Sequence, residues 1–256
     1  MSYIIAVTGK GGVGKTTISS LIISRLVAAG KTPVLAVDAD PNSCLDAALG
    51  VSITKTVGSA REETKKAAGS GAVQGVSKQQ MLEMKIEESL VESDGFDLIA
   101  MGRPEGPGCY CYANNVLSSV IKAIADNYPF VVIDNEAGLE NLSRRIVQKV
   151  DLLVMVSDAS ARGLDTVTRL HGLTHEMEIE YKKLAVVVNR SQSGVTPQAA
   201  ERVKEVTQAD LLMCIANDPE VAGLSEAGES VNKLSGQNQT VQCIDTLLTH
   251  IPGEST

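Results

Sequence analysis

The residues best suited to chemistry lie in one glycine-rich stretch near the N-terminus, which reads GKGGVGKTT from residue 9 to residue 17. It fits the pattern GxxxxGK[ST], which marks a phosphate-binding loop when a strand precedes it and a helix follows. An apolar run precedes this stretch, and a helical pattern follows it as far as residue 29. We therefore expect these loop residues to bind a nucleotide: Gly9, Gly11, Gly12, Val13, Gly14, Lys15, Thr16 and Thr17.

Two lysines and a threonine in this loop have different chemical uses. The glycines let backbone N–H groups turn toward an anion, while Lys15 supplies a cation to the terminal phosphates. The Thr16 hydroxyl is placed to bind Mg²⁺. Lys10 is unusual, because the position after the first glycine carries no fixed charge in an ordinary loop of this kind. The alternative is a glycine-rich turn without a nucleotide, which the complete and correctly flanked motif disfavours.

Two other segments end in carboxylates that could serve the same nucleotide. The run TPVLAVDAD places Asp38 and Asp40 after a strand-like stretch, and FVVIDNEAG places Asp134 after another, with Gly138 following. Carboxylates beside a phosphate loop can hold a Mg²⁺ hydration shell or position an attacking water, and Gly138 offers an amide for the γ-phosphate. A solvated turn is the alternative for DADPN, since Asp, Pro and Asn favour turns.

Weaker binding candidates follow two later strand-like runs. Asn189 and Arg190 end the run LAVVVNR, where an amide side chain could present a donor and an acceptor to an adenine edge. Asp218, Pro219 and Glu220 lie in IANDPEV, which follows the last strand-like run. These residue types also favour turns, so turn formation is the alternative for this loop.

A pair of closely spaced thiols, Cys109 and Cys111, lies in the glycine- and proline-rich segment GRPEGPGCYCYANN. One such pair supplies two soft ligands at most, whereas Zn²⁺ or Ni²⁺ usually takes four. A symmetric dimer would remove this deficit, because two such loops meeting on the twofold axis supply four sulfurs. Two structural thiols without a metal are the alternative.

The histidines give a weaker metal signal. His171 and His175 have i, i+4 spacing in HGLTH, which could bind a metal on one face of a helix. No glutamate follows in the HExxH manner, and no third ligand is evident. We therefore expect these histidines, like His250, to lie at the surface or in side-chain packing.

These candidates require a scaffold that brings strand ends together. Strand-like runs alternate with helical patterns, and several are continuously apolar, which indicates a parallel sheet with helices on both faces. We predict a single α/β phosphate-loop domain over residues 1–256, with the candidates at the carboxyl edge of a mostly parallel, twisted sheet. Residues 54–78 have a weakly structured composition and are expected to form a mobile surface excursion, after which residues 80–92 return to a helical pattern. The strand-like runs are residues 4–8, 32–37, 96–101, 130–133, 152–156, 184–188 and 211–215.

The composition narrows the functional classes. The chain has 256 residues, a net charge of −8 and a pI near 5.0, which argue against a general affinity for nucleic acid or anionic lipid. No apolar run approaches the roughly 20 residues that span a bilayer, and no signal segment precedes the first strand. Five cysteines are an odd count, so structural disulfides are not expected. We expect a cytoplasmic protein that binds neither membrane nor nucleic acid.

The loop KGGVGKT with its extra lysine, the DAD segment and IDNEAG together resemble the MinD/ParA/nitrogenase-reductase branch of phosphate-loop ATPases, along essentially the whole chain. Within that branch, GPGCYCYANN and DNEAGLENLSRR resemble the CooC/AcsF group. The resemblance implies an ATPase that assists nickel insertion into carbon monoxide dehydrogenase or acetyl-CoA synthase. ATP, Mg²⁺ and Ni²⁺ are the implied ligands, with Zn²⁺ as the alternative to nickel.

The resemblance also implies roles for the nucleotide-site residues. Members form ATP-sandwich dimers in which the extra lysine, here Lys10, reaches the partner's phosphates, while Lys15 and Thr16 bind the nucleotide of their own chain. Asp38 would assist the Mg²⁺ site through water, and Asp40 would polarise the attacking water. A lysine supplied by the partner would act like an arginine finger, so hydrolysis would depend on an ATP-driven homodimer.

The second acidic segment and the cysteines complete the implied site. Asp134, acting on Mg²⁺ through water, and Gly138 would form the second switch. Cys109 and Cys111 would bind nickel or zinc between subunits, so nucleotide state and metal binding would share one interface. Two other functions remain open: a dimeric iron–sulfur reductase or scaffold, since two CxC pairs could hold a cluster, and a positioning ATPase that binds membrane or DNA.

Overall fold

The computed structural model describes residues 2–69, 84–103, 110–138, 149–192 and 195–251 of the chain. Within these residues, eight strands form one sheet in which all neighbours run parallel, except for one antiparallel pair at an edge. The strands are β1 (Tyr3–Gly9), β2 (Val34–Asp38), β3 (Val91–Ser93), β4 (Phe96–Ala100), β5 (Phe130–Asp134), β6 (Lys149–Asp158), β7 (Glu180–Ser191) and β8 (Leu211–Ala216). Their order across the sheet is β3-β4-β2-β5-β1-β6-β7-β8.

Helices cover both faces of this sheet, as the sequence predicted. They are α1 (Lys15–Ala28), α2 (Leu45–Leu49), α3 (Val57–Gly69), α4 (Tyr110–Ile124), α5 (Ala161–Glu176), α6 (Gln198–Thr207), α7 (Pro219–Ala227) and α8 (Gln239–Leu248). None of the helices in the described part of the chain is long and apolar enough to cross a bilayer. The structure is therefore a single α/β domain with a mostly parallel sheet.

Alternation along the buried strands divides the core into two layers. Ile5 and Val7 of β1 pack with α1 and α8, whereas Ala6, between them, packs with α5 and α6 on the opposite face. Successive side chains of a strand point to opposite faces, so a strand covered on both sides needs apolar residues at every position. This is why continuous runs such as LAVVV in β7 form strands that are buried on both faces.

The strand register assembles the candidate site at one edge of the sheet. Asp38, the last residue of β2, pairs with Asp134, the last residue of β5. Gly9 ends the neighbouring β1 and pairs with Val156 of β6. Because parallel strands end together, segments that are far apart in sequence meet at this carboxyl edge.

The seven strand-like runs are all confirmed, but two sequence expectations need correction. The helical pattern assigned to residues 80–92 ends in strand β3, whose three residues pair antiparallel with β4 and are too few to show a period. In the weakly structured stretch 54–78, the structure forms helix α3, with Val57 and Ala60 in the core. Residues 70–78 lie outside the described part of the chain.

Candidate functional site

The phosphate loop connects β1 to α1, and two of its glycines have backbone conformations that other residues rarely adopt. Gly9 has φ +151°, and a Cβ at this position would lie 2.1 Å from the carbonyl oxygen of Val156. Gly14 precedes α1 in the left-handed region with φ +95°, and a Cβ there would lie 2.5 Å from Asn189 Nδ2. These glycines are therefore required by the close approach of β6 and β7 to the loop.

The two loop lysines have different surroundings. Lys15 begins α1 and is 8% exposed, and its Nζ donates to the carbonyl oxygen of Lys10 at 3.2 Å. Burial lowers the pKa of Lys15, against the opposing effect of the carboxylates of Asp134 and Asp40. The Lys10 side chain is exposed. One lysine is thus held within its own loop, while the other faces solvent.

The first turns of α1 bind the carboxylate at the end of β5. The Thr16 hydroxyl donates to Asp134 Oδ2 at 2.6 Å, and the Ser19 hydroxyl donates to Asp134 Oδ1 at 3.0 Å. Burial raises the pKa of Asp134 to about 6, although both hydroxyl bonds oppose the rise. Ser19 was missed from the sequence, although its position one helical turn beyond Thr16 places both hydroxyls on one face.

Asp38 organises the turn that follows β2. Its Oδ1 accepts from the Asp40 backbone N–H at 3.0 Å, and its Oδ2 accepts from those of Cys44 and Leu45 at 2.9 and 3.0 Å. Burial, together with the nearby Asp134 carboxylate, raises the pKa of Asp38 to about 7. Two buried carboxylates and the Thr16 hydroxyl form the hard oxygen-donor set that fits Mg²⁺, which would offset their mutual repulsion.

Asp40 lies further out in the same turn and is partly exposed. Its Oδ1 accepts from the backbone N–H of Asn42 at 2.8 Å and from the Asn42 side chain at 2.9 Å. The Arg103 guanidinium donates to the side-chain oxygen of Asn42. The residue expected to polarise water is therefore positioned by a local turn that a residue just beyond β4 also contacts.

The segment after β5 is hydrogen-bonded directly to the phosphate loop. The Gly138 N–H donates to the carbonyl oxygen of Gly9 at 3.0 Å, and the Thr8 hydroxyl donates to the carbonyl oxygen of Gly138 at 2.9 Å. Asn135 donates to the Val7 carbonyl oxygen through its backbone N–H at 3.1 Å and its side chain at 2.9 Å. The structure thus places Gly138 beside the loop.

Asn189 and Arg190 fasten the end of β7 to the same loop. Asn189 Nδ2 donates to the carbonyl oxygen of Val13 at 2.9 Å, and its Oδ1 accepts from the Arg190 backbone N–H at 3.0 Å. The Arg190 guanidinium donates to the carbonyl oxygen of Gly12 at 3.1 Å. In this conformation the Asn189 amide, expected to contact the base, contacts the phosphate loop.

A cavity of about 260 Å³ lies beside Thr17 and the end of β7, where a base attached to phosphates in the loop would be expected. Its lining includes Asn189, Arg190, Asn217, Asp218 and Thr240. Polar groups converging on a concave site beside a phosphate loop are typical of a nucleotide pocket.

Asp218 joins the N-termini of two helices at this cavity. Its Oδ1 accepts from the backbone N–H groups of Glu220 and Val221, at 2.9 and 3.2 Å. Its Oδ2 accepts from the Asn238 side chain at 2.9 Å and the Thr240 hydroxyl at 2.8 Å. Burial alone would raise the pKa of Asp218, but these hydrogen bonds hold it below its ordinary value. Asp218 thus caps α7, and Pro219 is the first residue of that helix.

The proposed metal-binding cysteines are only partly covered by the structure. Cys109 lies outside the described residues, and Cys111 is the second residue of α4. Among the residues whose placement is described, no group of three or more His, Cys, Asp or Glu side chains could hold a metal ion. The structure therefore leaves the CxC site as a sequence-based prediction.

The fold and the loop define a phosphate-loop nucleotide hydrolase. A family model described as an AAA domain matches residues 1–186. An uncharacterised ATP-binding protein of Methanocaldococcus jannaschii is 51% identical over 189 residues, which cover 73% of this chain and 74% of that protein. The carbon monoxide dehydrogenase accessory protein CooC of Rhodospirillum rubrum is 33% identical over 247 residues, or 90% of each chain.

A solved structure is similar along nearly the whole chain. The ParA family ATPase of Chlorobium tepidum has a TM-score of 0.73 at 19% identity, over 98% of this chain and 100% of that chain. At this identity the likeness shows the fold. The family match shows that the chain belongs to the AAA-domain family of phosphate-loop ATPases. The protein is an ATPase, and ATP and Mg²⁺ are consistent with its site.

Proposed function

We propose that this protein is a cytoplasmic nickel-handling ATPase that serves the maturation of carbon monoxide dehydrogenase or acetyl-CoA synthase. ATP would drive two chains together, and Cys109 and Cys111 of both chains would hold one nickel ion between them. The observation that carries the proposal is the position of Cys111: it is the second residue of α4, which follows β4, and the carboxyl end of β4 lies at the same sheet edge as the phosphate loop. The similarity to CooC along 90% of the chain supports it.

The surroundings of the two loop lysines support the dimer in this proposal. Lys15 is 8% exposed and contacts its own loop, whereas the Lys10 side chain faces solvent. An exposed cation in a phosphate loop is accessible to the nucleotide of a second chain. It would stabilise charge on the departing phosphoryl group, as an arginine finger does.

Nickel stoichiometry tests the proposed metal site. Anaerobic titration of the full-length protein with Ni²⁺, in the presence of a non-hydrolysable ATP analogue, should give about one ion per two chains more than the same titration of the Cys109→Ala/Cys111→Ala variant, because four thiolates complete the site. The Cys109→Ala/Cys111→Ala variant should lose this ion while retaining ATP binding. The matched control is Cys214→Ala/Cys243→Ala, which removes two other thiols and should retain the ion. Equal nickel content in all three proteins would contradict the proposal.

The same preparation separates the iron–sulfur alternative from the nickel proposal. Protein purified anaerobically would show the broad visible absorption of a thiolate-bound cluster if it were an iron–sulfur reductase or scaffold. We expect no such absorption, together with nickel or zinc in elemental analysis. Iron and sulfide that disappear in the Cys109→Ala/Cys111→Ala variant would favour the alternative.

The lysines provide a test of nucleotide-driven dimerisation. Lys10→Ala should retain ATP affinity and lower the hydrolysis rate by roughly 10³-fold, the effect of losing a charge-stabilising finger. Lys15→Ala should weaken ATP binding itself. Affinity is measured by calorimetry, and oligomeric mass by light scattering with the ATP analogue. Equal losses of affinity in both variants would contradict separate roles for the two lysines.

A further inference from the structure

A histidine pair on α5 takes no part in the proposed nickel chemistry. His171 and His175 are four residues apart on this helix, so their side chains lie one above the other. Their ring centroids are 4.8 Å apart, and the ring planes are nearly perpendicular, at 86°. His171 is half-buried, and His175 is exposed to solvent. The pair is therefore accessible to a small ion.

The separation of the rings matches that of two imidazoles sharing a metal ion. An ion bound by two ring nitrogens at about 2.0–2.1 Å lies about 3.2 Å from each ring centroid. Nitrogen–metal–nitrogen angles of about 90–110° would then place the centroids about 4.5–5.2 Å apart. The observed 4.8 Å lies within that interval. We propose that His171 and His175 chelate one borderline divalent ion, Ni²⁺, Cu²⁺ or Zn²⁺, with water completing its coordination.

Tyr181 supports one ring of this site from the neighbouring strand. The Tyr181 hydroxyl lies 3.0 Å from Nε2 of His171. A histidine that binds a metal through one nitrogen usually has its other nitrogen hydrogen-bonded, which fixes the tautomer and the ring orientation. The Tyr181 contact engages Nε2 and leaves Nδ1 of His171 for the ion. Tyr181 is thus a positioning residue of the proposed chelate.

The histidine pair lies at the opposite end of the domain from the nucleotide. Helix α5 begins after β6 at the carboxyl edge, and its 16 residues extend about 24 Å toward the amino edge, where β7 begins. The pair occupies its last two turns. Glu176, the last residue of α5, and Glu178, in the turn that follows, add negative charge that favours a cation. Ion binding here should not depend on ATP or on the CxC pair.

The test is a Ni²⁺ titration by calorimetry, carried out on full-length protein with the Cys109→Ala/Cys111→Ala substitutions. This background removes the proposed thiolate site, so failure of the nickel-handling proposal would not affect the result. We expect one ion per chain, with the same affinity with and without an ATP analogue. Adding His175→Ala should weaken binding by roughly a hundredfold, because a chelate becomes a single ligand. The exposed His175 side chain is removed without opening the core, which thermal unfolding would verify.

Two further variants distinguish chelation from general surface binding. His250→Ala removes the third histidine of the chain, which lies outside α5, and should leave the affinity unchanged. Tyr181→Phe should weaken binding by about tenfold without changing the stoichiometry, the effect of losing an outer hydrogen bond. Absence of Ni²⁺ binding in the cysteine-substituted protein, or the same affinity after His175→Ala, would overturn the proposal.

Discussion

Replacement of Asp218 by alanine separates a structural role from a base-binding role. The sequence placed Asp218 among the nucleotide contacts, and the structure places it at the cavity. However, both of its carboxylate oxygens already accept hydrogen bonds from the protein. We therefore expect Asp218→Ala to lower the free energy of unfolding and to change ATP affinity by less than about threefold, below roughly 0.7 kcal/mol.

The size of the stability loss follows from the four bonds. Loss of the carboxylate that accepts from the N–H groups of Glu220 and Val221 removes the cap of α7, which contributes about 1 kcal/mol. Hydrogen bonds to a charged acceptor contribute about 1.5–3 kcal/mol each. The loss at Asn238 and Thr240 should be smaller, because Asn238 also donates to Glu220 at 3.0 Å. The sum is about 2–3 kcal/mol, or roughly 5–10 °C in melting temperature.

Thermal unfolding and calorimetric ATP titration measure the two quantities on the same protein. Asp218→Asn keeps an acceptor oxygen and should lose about half as much stability. The matched control is Glu229→Ala, which removes a carboxylate from an exposed pair with Lys233 and should change the melting temperature by less than about 2 °C.

One outcome would refute the structural role of Asp218. If Asp218→Ala kept the melting temperature of the parent protein and bound ATP more than about tenfold more weakly, its main partner would be the nucleotide. The cap and the link between α7 and α8 would then be contacts without energetic consequence. Asn238 and Thr240 would have to find water as an equivalent partner.

Three further perturbations follow from the site. Gly9→Ala should lower stability by at least about 3 kcal/mol, because its Cβ would meet the Val156 carbonyl at 2.1 Å, and thermal unfolding measures the loss. The metal-free protein should lose stability as pH rises from about 4 to about 7, because the pKa values of Asp38 and Asp134 are higher in the folded chain than in the unfolded chain. Melting curves recorded in EDTA at several pH values measure this loss. Asn189→Ala should weaken ATP and GTP binding by the same factor, about tenfold, because the carbonyl oxygen of Val13 in the phosphate loop loses its hydrogen-bond donor. Nucleotide titrations measure both affinities.

Each of these three predictions has a control variant or an outcome that would contradict it. Gly172→Ala lies within α5 with open space around it and should be neutral or stabilising; an equal loss in both glycine variants would argue against the clash. Asp134→Asn should flatten the stability–pH profile, and an unchanged slope would assign it to other groups. A loss of ATP over GTP discrimination in Asn189→Ala would instead make Asn189 a direct reader of the base.

Local patterns were sufficient to predict most elements of this fold and its phosphate loop. The seven longer strands contain largely apolar runs, and the phosphate loop is a short motif whose strand and helix are adjacent to it in sequence. β3 has three residues and no readable period, so it was missed. The composition of residues 57–69 suggested little structure, yet burial of Val57 and Ala60 against the core stabilises a helix there.

The partners of the site residues depend on pairings that no local pattern reveals. Ser19 binds a carboxylate 115 positions away in sequence, and Asn189 binds a carbonyl 176 positions away. The sequence showed that Asn189 ends a strand at the correct edge, but not whether its amide faces a base or a backbone. Asp218 has the same ambiguity, because a residue that caps a helix and one that binds a ligand are of the same type.

The sequence predicted a loop that binds an anion, and the structure shows what fixes its shape. Carbonyl oxygens along the loop accept hydrogen bonds from the segment after β5, from the start of α1 and from the end of β7. These carbonyls belong to Gly9, Lys10, Gly12 and Val13. Because each peptide plane points its N–H away from its carbonyl, engaging these carbonyls with the protein turns N–H groups toward the opposite side, where an anion would lie. The donors come from the segments that also carry the carboxylates and line the cavity beside Thr17. Binding of base, Mg²⁺ and phosphate should therefore be coupled through the backbone of one loop.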